Sequence, residues 1–244
     1  MIDKTLQSRL PASVHIHRDV ELRHYTTFQL GGACPALIDC PDADSLCGSA
    51  RLLIENGLSF IIIGQGSNLL VSDEGIDSVV LRYCAEENPV EIEGTRVRAG
   101  GQTLLDDLAR LAIEQGVGDL SFCSGIPGTV GGAIAGNAGA FGRQIGDVLE
   151  SARIMELDGT IRDMDASDLQ FAYRSSLLKQ SGAVVLDAVL KLKVEDRDAM
   201  RMERERILEL RRTKHPDWKI NPLSLIHISE PTRRTIPSRM PSSA

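Results

Sequence analysis

Gly125-Ile-Pro-Gly-Thr-Val-Gly-Gly-Ala-Ile-Ala-Gly-Asn-Ala-Gly-Ala-Phe-Gly142 is the stretch of this 244-residue chain that decides how the rest is read. It holds seven glycines, at positions 125, 128, 131, 132, 136, 139 and 142. Each glycine in a helix interior costs about 1 kcal/mol relative to alanine, so the run is a poor stable helix. Such a run persists where backbone must lie against a large planar or charged ligand. A flexible linker is the competing reading. Linkers, however, are rich in serine and polar residues, whereas this run carries Ile126, Val130 and Ile134 and is punctuated by Pro127. Thr129 and Asn137 offer hydrogen bonds, and Ile126 and Ile134 offer apolar contact to a ring system.

Upstream stands a second glycine loop, Gly64-Gln65-Gly66-Ser67-Asn68, directly after the β-branched run Phe60-Ile61-Ile62-Ile63. Successive backbone N–H groups in such a turn form a concave anion site, for which a diphosphate is the natural guest. Ser67 and Asn68 add donors without bulk. A tight loop between two strands is the plainer alternative. The loop is neither a G-x-G-x-x-G opening a helix nor a Walker loop. Two glycine loops on separate α+β units point to one ligand held between two subdomains. Further on, Tyr173 and Arg174 adjoin in the polar segment Phe171–Lys179. An arginine there clamps a carboxylate or stabilises a developing enolate oxygen; the alternative is a surface arginine beside a partly buried tyrosine.

The pattern around these motifs alternates strands and helices. Ala36–Asp39 reads as a short strand and Asp42–Asn56 as a helix, with Leu46, Ala50, Leu53 and Ile54 near the 3.6 period and Gly57 placed to end it. Phe60–Ile63 reads as a buried strand that Leu69-Leu70-Val71 continues, and Ser78–Arg82 as the next. Val90–Glu93 and Thr95–Ala99 form a hairpin, and Thr103–Gln115 an amphipathic helix ended by Gly116. Ser151–Leu157 and Thr160–Asp163 flank the turn Asp158-Gly159; Val184–Val194 is a strand and Asp198–Arg212 a charged helix. Residues 1–30 carry little pattern.

Composition bounds the function classes. Lys plus Arg is 27 against 34 Asp plus Glu, a net charge of −7, with 42% hydrophobic and 25% charged residues. These are ordinary globular values, and they exclude a disordered chain, a collagen-like chain or a small disulfide scaffold. The acidic balance argues against a nucleic-acid partner. Cys34, Cys40, Cys47, Cys84 and Cys123 make no Cys-x-x-Cys pair and read as reduced thiols of a cytosolic protein, without zinc. No apolar run approaches the roughly 20 residues that span a bilayer, and no signal peptide is expected. The last stretch, Leu223–Ala244, holds three prolines, five serines and three arginines with no period. It reads as a basic partner-binding tail, as a disordered end, or as non-native sequence resembling translated adapter read-through, and stays outside fold reasoning.

In order and spacing these segments resemble the UDP-N-acetylenolpyruvoylglucosamine reductases, the MurB family of peptidoglycan synthesis. The resemblance rests on Thr26–Gly32, Gly64–Leu70, Gly125–Gly142, Tyr173–Ser176 and Arg211–Pro216, and spans residues 20–222. It implies an α+β fold: a two-subdomain FAD-binding module of the vanillyl-alcohol-oxidase (PCMH) type, with only the start of a third, substrate-binding domain. The expected divisions are residues 1–84, 85–197, 198–222 and the tail 223–244. It implies non-covalent FAD that takes hydride from NADPH and passes it to the enolpyruvyl double bond of a UDP-sugar, giving UDP-N-acetylmuramate. By motif match, Gly64, Gln65, Gly66, Ser67, Asn68 and Leu69 hold the FAD diphosphate. Ile126, Pro127, Gly128, Thr129, Gly131 and Gly132 line the flavin, with Asn137 and Gly139 also at the cofactor. Arg174 matches the catalytic arginine, Tyr173 flanks it, and Lys214 matches a lysine that meets the substrate. Neither a membrane nor a nucleic acid is an expected partner, and a monomer is favoured.

One departure matters. The family's Gly-Ser-Phe-Phe-Lys-Asn-Pro segment, whose serine protonates the intermediate, has no counterpart after Pro222. Its role passes to neither Ser224 nor Ser229, and Glu230 does not replace the family's late glutamate. Impaired turnover is therefore expected. The alternatives are a non-catalytic FAD-binding fragment, or another flavin oxidoreductase of this fold that oxidises an alcohol or sugar.

Overall fold

The computed structural model describes residues 2–85, 90–118 and 120–214; the tail at 223–244 and the segment before it lie outside the described residues. The chain opens with α1 (Lys4–Gln7), then β1 (His15–Glu21), β2 (Ala33–Cys40), α2 (Ala43–Glu55), β3 (Phe60–Ile63) and β4 (Val79–Tyr83). These four strands form one sheet in the order β1-β2-β4-β3. β1 runs antiparallel to β2, while β2 and β3 both run parallel to β4. Among the described residues β3 pairs on one side only, so its other edge is open there.

Helix α2 starts where the sequence pattern places it because Asp42 and Ser45 cap each other. The Asp42 carboxylate accepts the Ser45 N–H at 2.7 Å, and the Asp42 N–H donates to Ser45 Oγ at 3.2 Å. Its buried face, Leu46, Ala50 and Leu53, packs on Ile38 and Leu81 of the sheet.

The second half adds β5 (Val90–Glu93), β6 (Arg96–Gly100), α3 (Leu105–Glu114), β7 (Val117–Gly118), α4 (Val130–Ala135), β8 (Gly139–Ala140), β9 (Arg143–Gln144), β10 (Leu149–Met155) and β11 (Ile161–Asp165). It closes with α5 (Leu177–Ser181), β12 (Val184–Lys191), β13 (Lys193–Val194) and α6 (Arg197–Lys214). Five strands make an antiparallel sheet, β11-β10-β12-β6-β5, and β7 with β13 and β8 with β9 make short ribbons. The halves share apolar packing: Met155 and Leu186 of the second sheet are buried against the first half's Leu46, Leu81 and Tyr83. The Tyr83 hydroxyl, its pKa pushed up by burial, donates to the Leu186 carbonyl at 2.9 Å.

Three expectations are corrected. β1 lies in a segment read as patternless; its side chains are mostly exposed or half-buried, so no alternation marks it. Leu69-Leu70-Val71 is not a strand; Leu69 and Val71 pack over Leu37 and Val80 instead. The glycine-rich run does contain a helix, the six-residue α4. Thr129 caps it by accepting the Gly132 N–H at 3.2 Å, and the N–H groups of Val130 and Gly131 donate to the carbonyls of Thr103 and Gly101, both at 2.8 Å. Tertiary hydrogen bonds thus offset the low helix propensity.

On the first sheet Asp39 accepts from Arg82 Nε at 2.5 Å and Nη2 at 2.7 Å, and lies 3.1 Å from His17 Nε2. Burial pushes the Asp39 pKa up, but the hydrogen bonds and charges of Arg82 and His17 outweigh it and hold the carboxyl below its ordinary range. A folded-state pKa below the unfolded one gives stability that is present above about pH 4 and lost as pH falls through the folded value. Asp39→Asn should therefore cost about 1–3 kcal/mol at pH 7. Its gap to wild type should narrow progressively below about pH 4, as urea unfolding at several pH values will measure.

Candidate functional site

The two halves leave a cleft of 640 Å³ between them. One wall is the open edge of β3 with Gly64 and Leu69; the other is Thr129, Gly131 and Gly132 at the start of α4, with Val184 and Val185 of β12. The glycine loops meet at one end. A Cβ on Gly64 would stand 3.0 Å from Thr129 Oγ1, and one on Gly128 would stand 2.6 Å from Ser67 Oγ. Side chains larger than hydrogen at either glycine would push the loops apart.

The hydrogen-bond inventory of this corner is uneven. Among the described residues no acceptor is found for the backbone N–H groups of Gln65, Gly66, Ser67 and Asn68, nor for those of Gly128 and Thr129. Backbone donors are normally paired. Two neighbouring sets without acceptors leave donors available to an anion such as a phosphate. Thr27 braces the first loop by donating its N–H to the Gly66 carbonyl at 3.2 Å. Gly66 sits at φ +61°, and a Cβ there would overlap the Tyr25 carbonyl oxygen. The Thr26–Gly32 motif therefore supports the loop from behind.

Three buried side-chain oxygens also lack a partner: Gln102 Oε1, Thr103 Oγ1 and Ser124 Oγ. All belong to segments that abut the glycine-rich run. The cleft, the unpaired amides and the apolar walls together fit a dinucleotide whose diphosphate lies between the loops. Among the described residues no group of three His, Cys, Asp or Glu side chains is placed to hold a metal ion.

The residues singled out in the sequence divide by position. Gly64, Leu69, Thr129, Gly131 and Gly132 line the cleft; Gln65, Gly66, Ser67, Asn68 and Gly128 do not, although Gly128 stands against Ser67 where the two loops meet. Ile126 and Pro127 are half-buried in the approach to α4. Asn137 is buried and fully engaged: its Nδ2 donates to Gln144 Oε1 and to the Ala172 carbonyl, both at 2.9 Å, and its Oδ1 accepts the Gly146 N–H at 3.2 Å. Gly139 lies in β8, with a Cβ position closed by the Arg143 carbonyl. Both stand outside the cleft wall and hold the fold around it.

Tyr173 and Arg174 form the tip of a tight turn. The Ala172 and Ser175 backbones exchange hydrogen bonds at 3.0 and 3.1 Å, and Arg174 takes φ +55°. Asn137 grips the Ala172 carbonyl, while the Ser176 hydroxyl donates to the Ala135 carbonyl at 2.7 Å. Both flanks of the turn are thus pinned to the end of α4. The Tyr173 ring is 74% exposed, with the Arg174 guanidinium 5.8 Å from its centre. Lys214, at the C-terminal end of α6, is exposed and outside the cleft lining.

The five cysteines are free, and burial raises the pKa of each, Cys40 to about 12. None is a thiolate nucleophile at neutral pH. The sequence reading missed Gly100-Gly101. The Gly101 N–H donates to the Leu186 carbonyl at 2.8 Å, its carbonyl receives Gly131, and a Cβ would overlap the Val185 carbonyl oxygen. A glycine pair directly after a strand was the available signal. Lys179 also went unnoticed; it lines the cleft and donates to the Arg174 carbonyl at 3.3 Å.

The FAD binding domain family matches residues 35–165. A UDP-N-acetylenolpyruvoylglucosamine reductase of Clostridium novyi (strain NT) is 34% identical over 215 residues, 88% of this chain and 69% of that protein. The crystal structure of UDP-N-acetylenolpyruvylglucosamine reductase (MurB) from Thermus caldophilus superposes with a TM-score of 0.70 at 30% identity, covering 82% of this chain and 70% of that one. Berberine bridge enzyme from Eschscholzia californica shares the fold at a TM-score of 0.60 and 16% identity, over 79% of this chain and 43% of that one. The chain spans about two-thirds of the length of its reductase relatives. It belongs to the UDP-N-acetylenolpyruvoylglucosamine reductase family, built on an FAD-binding α+β module of the PCMH type.

Proposed function

We propose that this chain is the FAD-binding part of an NADPH-dependent reductase that converts UDP-N-acetylglucosamine enolpyruvate to UDP-N-acetylmuramate in the cytoplasm, acting as a monomer. The observation that carries this reading is the meeting of the two glycine loops beside the cleft, with amides that have no acceptor among the described residues. Residues 1–84 and 85–197 make the two FAD-binding subdomains in this account, and 198–222 begin the substrate domain. Bound FAD supplies the hydride acceptor for NADPH and the donor for the enolpyruvyl double bond.

The chain's own residues bind and orient. The amides of Gln65–Asn68 and of Gly128 and Thr129 hold the diphosphate, and Ser67 adds a hydroxyl. Ile126 and Pro127 meet the ring system, and Leu69 with the β3 edge keeps water from the cleft. Hydride addition to an enol ether needs an electron sink, and a carboxylate serves if cations hold it. Arg174 supplies that cation from a turn already pinned on both flanks, so little order is lost when substrate arrives. Tyr173 flanks it, and Lys214 offers a second positive charge. Proton delivery falls to none of the residues described.

Purified protein should show flavin bands near ~375 and ~450 nm and release FAD on heating; absorption and chromatography of the supernatant will test it. Absence of flavin after incubation of folded protein with excess FAD would overturn the reading. Gly66→Ala should weaken FAD binding at least about tenfold and lower stability by about 2–3 kcal/mol, since the Cβ is both strained and obstructed. Flavin titration and thermal melting will measure the two effects separately.

A further inference from the structure

Helix α6 contributes no residue to the cleft wall, yet it grips the backbone that leads into it. Arg211 donates from Nε to the Ser124 carbonyl at 2.7 Å and from Nη2 to the Phe122 carbonyl at 3.4 Å. Arg204 makes a two-pronged pair with Asp106 of α3, at 2.6 and 2.9 Å, and the same Asp106 Oδ1 accepts the Gly125 N–H at 2.7 Å. Gly125 itself stands at φ +70°, with its Cβ position 2.9 Å from Leu208 and 3.0 Å from Arg211 of α6. Two consecutive residues, Ser124 and Gly125, are therefore held by opposite groups: one by its carbonyl, the next by its N–H.

Arg211 is half-buried and has no carboxylate partner among the described residues. Burial lowers its pKa. The neighbouring Asp106 charge favours the cation there, and its donors go to backbone carbonyls. Arg204 is 15% exposed and its pair with Asp106 joins α6 to α3. Three residues beyond Gly125 come the free amides of Gly128 and Thr129.

We propose that Asp106, Arg204 and Arg211 are positioning residues for the cofactor: they fix the path of Phe122–Gly125 and so aim the Gly128 and Thr129 N–H groups into the cleft. The proposal rests on the reading that FAD binds there. A loop ordered in advance loses less freedom on binding, which appears as affinity. Coupling is reciprocal, so FAD must in turn hold α6 on the body of the protein by the same factor.

The test uses the full chain as wild type, Arg211→Met, Arg211→Lys and Asp106→Asn. FAD affinity is read by fluorescence quenching, the bound flavin by visible circular dichroism, and α6 by amide hydrogen exchange with and without FAD. Arg211→Met should weaken FAD about tenfold or more, the scale of lost hydrogen bonds to a charged group. Arg211→Lys should recover part of that loss, with an altered flavin dichroism signal at unchanged apo-protein melting temperature. FAD should slow exchange in α6 of the wild type more than in Arg211→Met. Should Arg211→Met fail to fold, Arg211→Lys and Asp106→Asn carry the comparison. Wild-type affinity in the folded variants, or a loss that matches only their unfolded fraction, overturns the proposal while leaving the FAD reading intact. A folded wild type that takes up no FAD overturns both.

Discussion

Close approach of backbone to backbone within the second half, where the glycine-rich run meets β6, β12 and the start of α3, is the constraint on which this molecule depends. Gly101 donates to Leu186 and receives Gly131; Thr103 receives Val130; Leu105 donates to Gly128. These bonds need main chains with nothing between them, which explains the glycines better than flexibility does. They also decide which amides remain. Val130 and Gly131 spend their N–H groups on the fold, while those of Gly128 and Thr129 have no acceptor among the described residues. The unpaired donors are thus the remainder of a packing solution.

That division accounts for what could be read in the sequence and what could not. Phe60–Ile63 coincides with β3 and the Asp42 cap marks α2, because both are local signals: a β-branched run and a side chain three residues from its partner. Glycine density announced the loops for the same reason. The inward turn of Asn137 was not legible, since its partners at Gln144, Gly146 and Ala172 are gathered by the fold. β1 escaped because an edge strand with polar faces has no alternation to read. Helix α4 escaped because its first turn is completed by Gly101 and Thr103, which no propensity scale can see. Family resemblance supplied roles for Arg174 and Lys214 that their surroundings alone do not.

The structure also ties the two chemical regions to one another. Asn137 and Ser176 place the Tyr173-Arg174 turn relative to the end of α4, while Thr129 at its other end belongs to the cleft. A single short helix therefore sets the distance between the cleft and the Arg174 turn. The Phe141-Gly142 hairpin tip, with both residues at positive φ, adds a third reference by resting its ring near Arg206 and Arg211.

The open edge of β3 has a consequence for the life of the protein before it meets a cofactor. Phe60-Ile-Ile-Ile63 is a row of four apolar residues presenting unpaired main-chain groups to the cleft. Elsewhere such an edge is blunted by charge, proline or a covering element. Among the described residues no strand covers this one, so the folded chain displays a template for strand addition by its neighbours.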